Sequence, residues 1–122
     1  MPKKILLVDD EPDIVTSIKA RLEAGGYQVI VAVDGQQALE SARKEMPDLI
    51  ILDLMLPKLD GYKVCRLLKF DDKYKHIPVF MFTARAQESD KKLGEEVGAD
   101  AYILKPFELK GLMEKIKETL KE

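Results

Sequence analysis

Three aspartates stand where strand-like apolar runs end: Asp9 and Asp10 follow Ile5-Leu6-Leu7-Val8, and Asp53 follows Leu49-Ile50-Ile51-Leu52. Two further runs end on Thr83-Ala84 and on Lys105-Pro106-Phe107. In open α/β sheets ligands bind outside the carboxyl ends of the strands, so these residues are expected to converge on one rim. Clustered carboxylates repel one another unless a hard, oxygen-seeking cation neutralises them, and magnesium is the natural candidate. Three negative charges from the aspartates would then meet two positive from the ion and one from Lys105. An aspartate beside such a metal can attack a phosphoryl group while metal, lysine and hydroxyl hold the equatorial oxygens for in-line transfer. Asp53 is the expected bearer of that group.

Those residues need a scaffold that brings strand ends together. Short apolar runs alternate five times with segments of helical period, the rhythm of a parallel sheet with crossover helices, so the class is α/β. Lys4 to Val8 is unbroken rather than alternating, as expected of a central strand covered on both faces. A helix carrying Ile14, Ile18 and Leu22 follows and is expected to stop near Ala24 at Gly25-Gly26. Tyr27 to Val33 reads as a second strand, and Gln36 to Glu45 as a helix burying Ala38, Leu39 and Ala42 and ending before Pro47. Asp48 to Leu52 is the third strand. After a loop through Pro57 and Gly61 comes a helix expected to bury Val64, Leu67 and Leu68, with Asp71 to His76 as its exit. Ile77 to Phe82, a helix from about Glu88 to Val97, Ala101 to Leu104, and a helix striped by Leu109, Leu112, Met113, Ile116 and Leu120 complete the pattern.

Composition narrows the function classes. A chain of 122 residues fits one domain, and 46% hydrophobic with 34% charged residues supports a substantial core rather than disorder. A net charge of -2 argues against direct nucleic-acid binding. The single cysteine, Cys65, and single histidine, His76, exclude a disulfide framework and a Cys- or His-rich metal centre, and point to a reducing, cytoplasmic compartment. No apolar run approaches the ~20 residues that span a bilayer, so no membrane insertion is expected.

Each candidate has a plainer account. Asp10, Glu11 and Asp13 could cap a helix and complement its dipole. Thr83 could be an ordinary β-branched strand residue, Lys105 a solvated loop lysine and Tyr102 an amphipathic strand aromatic. Cys65 is read as packing and His76 as solvated. Gly94 interrupts the fourth helix at a cost near ~1 kcal/mol relative to alanine, which would ease its displacement.

Taken together, Ile5-Leu6-Leu7-Val8-Asp9-Asp10-Glu11, Asp48 to Gly61, Pro78 to Ala84 and Gly98 to Phe107 resemble the receiver domain of two-component response regulators, from Lys4 through the final helix. The resemblance implies a flavodoxin-like (βα)5 fold with a doubly wound five-stranded parallel sheet in the order 2-1-3-4-5. It makes Asp53 the phosphoacceptor. Magnesium would be held by Asp10 and Asp53 directly, by Asp9 through a water, and by the backbone carbonyl of Met55. Thr83 matches the switch hydroxyl, Lys105 the phosphate-pairing lysine ahead of Pro106, and Tyr102 the switch aromatic that turns inward after phosphorylation. The implied partners are a sensor histidine kinase or phosphotransfer protein upstream, and a downstream protein or fused output domain. The chain would be a monomer or a phosphorylation-dependent dimer, and would catalyse its own modification without being a turnover enzyme.

Two other classes fit poorly. A flavodoxin-like FMN carrier needs a hydroxyl- and glycine-rich phosphate loop where this chain has Asp9-Asp10-Glu11-Pro12-Asp13, and an aspartate-nucleophile phosphatase needs a second aspartate where Glu11 stands. The serious alternative is a receiver-fold binding module that works without phosphorylation. Ala101 and Gly111 occupy positions where receivers joined to winged-helix domains often carry acidic dimer contacts, which leans the reading toward a stand-alone receiver. Met55 and Arg85 take the places that influence phosphoryl lifetime in the family.

Overall fold

The computed structural model describes residues 2–53, 56, 60–83, 98–104 and 108–121, with the backbone alone at Thr83 and Leu104. Five parallel strands, β1 (Lys4–Val8), β2 (Gln28–Ala32), β3 (Leu49–Asp53), β4 (Val79–Thr83) and β5 (Ala101–Leu104), form one sheet in the order β2-β1-β3-β4-β5. Four helices lie among the described residues: α1 (Pro12–Ala24), α2 (Gly35–Glu45), α3 (Gly61–Lys69) and α4 (Leu109–Leu120). The helix expected near Glu88 to Val97, with Gly94, lies outside the described residues.

The unbroken apolar strands follow from burial on both faces. Leu6, Val8, Ile50, Leu52, Val79 and Met81 pack with Ala38, Leu39 and Ala42 of α2 and with Val64, Cys65 and Leu68 of α3. The alternate residues Ile5, Leu7, Leu49, Ile51, Phe80 and Phe82 pack with Ile18 and Leu22 of α1 and Leu112, Met113 and Ile116 of α4. Each strand therefore feeds two cores, and from Ile5 to Val8 in β1 and from Leu49 to Leu52 in β3 every side chain is apolar and buried.

Local signals set the element ends. α1 begins on Pro12, whose missing N–H costs nothing there, and ends where Gly26 takes φ 92°, a conformation open to glycine. Asp34 caps α2 by accepting from Gln37 N at 2.8 Å, so the helix starts at Gly35, one residue before the sequence reading placed it. β4 starts at Val79, later than the expected Ile77, because Pro78 has no N–H to enter the ladder, although Ile77 stays buried.

One expectation on α3 fails. Leu67 is 44% exposed, and the buried stripe is Gly61, Val64, Cys65 and Leu68. That set follows the i, i+3, i+4, i+7 pattern in full, so the helix turns Cys65 inward and Leu67 outward.

Candidate functional site

The acidic site is built at the carboxyl ends of β1 and β3. Val8 is level with Leu52, so one step further along these adjacent parallel strands Asp9 and Asp53 stand side by side. Asp9 N donates to Ala32 O at 3.1 Å, which anchors its backbone to the neighbouring strand chain just past the end of β1. Its Oδ1 accepts from Glu11 N at 2.9 Å and so shapes the turn into α1. Asp9 and Asp53 are 1% and 3% exposed, Asp10 is exposed, and carboxylate oxygens of all three lie within 4.8 Å of one another.

Capping does not account for this arrangement. Glu11 occupies the N-cap of α1 but makes no side-chain cap bond, and its own N–H is taken by Asp9. Two like charges 4.8 Å apart repel by about 3 to 4 kcal/mol at an effective dielectric of about 20, and two of these carboxylates are buried. The donor set therefore suits a hard cation. Magnesium takes oxygen ligands and retains several waters, so a site of this size could hold it by two carboxylates directly and the third through a water.

The other expected site residues are placed as follows. Asp53 is the last residue of β3 and is level with Phe82 of β4, so Thr83 ends β4 one step beyond and is level with Leu104 of β5. The expectation that Asp53 and Thr83 follow their strands is thus off by one residue: each closes its strand. Tyr102, in β5, is level with Met81 and packs partly buried against the core shared with α2 and α3. Met55, Lys105, Pro106 and Arg85 lie outside the described residues.

Two supporting features escaped the sequence reading. Asp60 caps α3, accepting from Lys63 N at 3.0 Å; an aspartate just ahead of an apolar helical stripe is the signal that would have found it. At the opposite end of the sheet, Lys69 Nζ donates to Lys75 O at 2.8 Å, Ile77 O at 3.0 Å and Asp100 Oδ2 at 3.0 Å. The same Asp100 oxygen accepts from Val79 N at 2.8 Å. This latch joins the end of α3 to the starts of β4 and β5, and Gly98, at φ 88°, leaves room for it: a Cβ there would sit 3.0 Å from Lys69 Cβ. No local spacing reveals a pair separated by 31 positions.

Cys65 is buried in the core, and burial pushes its thiol up to about 12, with the charge of Lys69 acting in the other direction and that of Asp100 adding to the rise. His76 is exposed, as expected. Among the described residues no helix is long and apolar enough to cross a membrane.

Comparison with known proteins agrees with this geometry. The model of the response regulator receiver domain family matches residues 5–117. The alkaline phosphatase synthesis transcriptional regulatory protein PhoP of Bacillus subtilis (strain 168) is 50% identical over 121 residues, covering 99% of this chain and 50% of that protein. The chain thus spans about half the length of that relative. A CheY-like response regulator receiver domain protein from Methanospirillum hungatei JF-1 superposes with a TM-score of 0.93 at 33% identity, covering 99% of this chain and 95% of that chain. The receiver domain of the sensor histidine kinase PA1611 from Pseudomonas aeruginosa PAO1, solved with a magnesium ion coordinated in its active site cleft, superposes with a TM-score of 0.91 at 33% identity, over all of both chains. Fold, acidic cluster and sequence match converge on one assignment: the chain belongs to the receiver domain family of two-component response regulators.

Proposed function

We propose that residues 1–122 act as one receiver domain in which Asp53 accepts a phosphoryl group from a phosphohistidine of a sensor kinase or phosphotransfer protein, or from a small phosphodonor. The observation that carries the reading is the gathering of Asp9, Asp10 and Asp53 within 4.8 Å at the ends of β1 and β3. Asp10 and Asp53 would hold magnesium directly, Asp9 through a water, and Met55 through its backbone carbonyl. Bound there, the ion would neutralise the carboxylates and the oxygens of the incoming phosphoryl group. The magnesium in the PA1611 cleft supports that choice of ion.

A carboxylate oxygen of Asp53 attacks phosphorus; the new P–O bond forms as the donor's P–N bond breaks, and its electron pair leaves with the imidazole. Asp9, fixed by Glu11 N and nearly fully buried, keeps the turn ahead of α1 in place while this happens. The Thr83 hydroxyl and the Lys105 ammonium pair with phosphoryl oxygens. Drawing Thr83 toward the phosphoryl group frees Tyr102 to turn inward, and its half-buried place on β5 suits that change of surface.

Receiver domains of response regulators are signalling switches, and this one acts in the cytoplasm on a protein partner or fused output rather than on nucleic acid directly. The transcriptional regulator of twice the length supports a transcriptional output, against the leaning toward a stand-alone receiver drawn from Ala101 and Gly111. Borohydride reduction of the phosphorylated chain followed by peptide mapping tests the acceptor. Homoserine at position 53 is expected, and homoserine elsewhere or nowhere overturns the assignment.

A further inference from the structure

A groove of about 910 Å³ runs along α3 and its exit loop, and none of Asp9, Asp10 or Asp53 lines it. Its apolar part is formed by Leu67, 44% exposed, and Phe70, 69% exposed, which lie outside the buried stripe of Val64, Cys65 and Leu68. Its rim carries three acids and three bases, Asp60, Asp71 and Asp72 against Lys63, Arg66 and Lys73.

The order of some of these charges opposes the helix's own field. Lys63 sits in the first turn, where the macrodipole disfavours a cation, and Asp71 and Asp72 follow the C-cap Phe70, where it disfavours anions. Within the chain Asp72 meets Lys75 at 3.1 Å, but those side chains are 95% and 60% exposed, and such a pair contributes little. An antiparallel copy of the same helix removes both mismatches. Each Lys63 then lies beside the other copy's Asp72, and each helix N-terminus lies beside the other's C-terminus.

We infer that the α3 face is an isologous self-association surface, in which two copies of this chain pack α3 against α3 antiparallel about a two-fold axis near Leu67. Phe70 of each copy seats between Tyr62 and Arg66 of the other, with the guanidinium over the ring. A helix of nine residues is only about 13 Å long, so the face falls below the roughly 800 Å² per partner of a standard interface. The association is therefore weak and concentration dependent.

Sedimentation velocity from micromolar to millimolar protein tests this, with Lys63→Glu and Asp72→Lys as variants at exposed positions. The weight-average sedimentation coefficient of the wild type should rise with concentration, and that of each variant alone should stay at the monomer value. An equimolar mixture of the two variants should associate again, because the mixed pair restores opposite charges at both contacts. A flat wild-type curve, a rise that survives either single reversal, or a mixture that stays monomeric would overturn the inference.

Discussion

Replacing Lys69 with methionine keeps most of the apolar stem and removes the ammonium that ties α3 to the starts of β4 and β5. The carbonyls of Lys75 and Ile77 each lose a charged donor, at about 1 kcal/mol apiece once solvent compensation is allowed for. The ion pair with Asp100 adds less than ~1 kcal/mol, because that carboxylate is 41% exposed and rehydrates. The expected loss is about 2 to 3 kcal/mol, which for a chain of 122 residues lowers the melting temperature by roughly 8 to 12 °C. Urea unfolding followed by circular dichroism measures it, with a shifted midpoint and an unchanged slope. Lys75→Met serves as the control: its exposed pair with Asp72 should be worth less than ~0.5 kcal/mol. If Lys69→Met cost no more than Lys75→Met, the latch would not be what fixes the β4 and β5 starts, and the reasoning would be wrong. Amide exchange adds a local readout, since Val79 N, bound to Asp100, should exchange faster in Lys69→Met beyond the global loss of stability.

Other expected outcomes follow from single features. Leu68→Ala should cost about 2 to 5 kcal/mol and Leu67→Ala far less, as denaturation midpoints would show, because only Leu68 is in the core. With the Cys65 thiol pushed up to about 12 from an ordinary 9.0, the unfolded chain releases its proton first as pH rises; stability is fully kept below about 9 and is lost between about 9 and 12. Cys65→Ala should flatten that part of the stability profile. Magnesium should raise the melting temperature of the wild type in proportion to the logarithm of its concentration above the dissociation constant, and Asp53→Asn or Asp10→Asn should weaken the rise severely; equal shifts in all three would mean that the ion binds elsewhere.

Much of this architecture was legible because burial on both faces leaves a distinctive trace. β1 falls on Lys4–Val8, as read from its unbroken apolar run, and β5 on Ala101–Leu104, read as a short strand. The acidic cluster was legible for a related reason: a carboxylate that follows a buried run must sit at a strand end, and parallel neighbours put such ends together. Helix facing on α3 was less legible, because Val64 with Leu67 and Val64 with Leu68 are both acceptable spacings. Counting Cys65 and Gly61 as inward residues would have decided it. The Lys69 latch left no trace, since its acceptors are backbone carbonyls and an aspartate far along the chain.

The central claim is that Asp53 is a magnesium-dependent phosphoacceptor. Intact mass of the wild type and of Asp53→Asn, after incubation with a small phosphodonor with and without magnesium, tests it most directly. One hydroxylamine-labile phosphoryl adduct is expected on the wild type with magnesium, and none in the other three arms. An adduct on Asp53→Asn, or one formed equally well without magnesium, would contradict the account, as would no adduct under any condition, including with a cognate kinase.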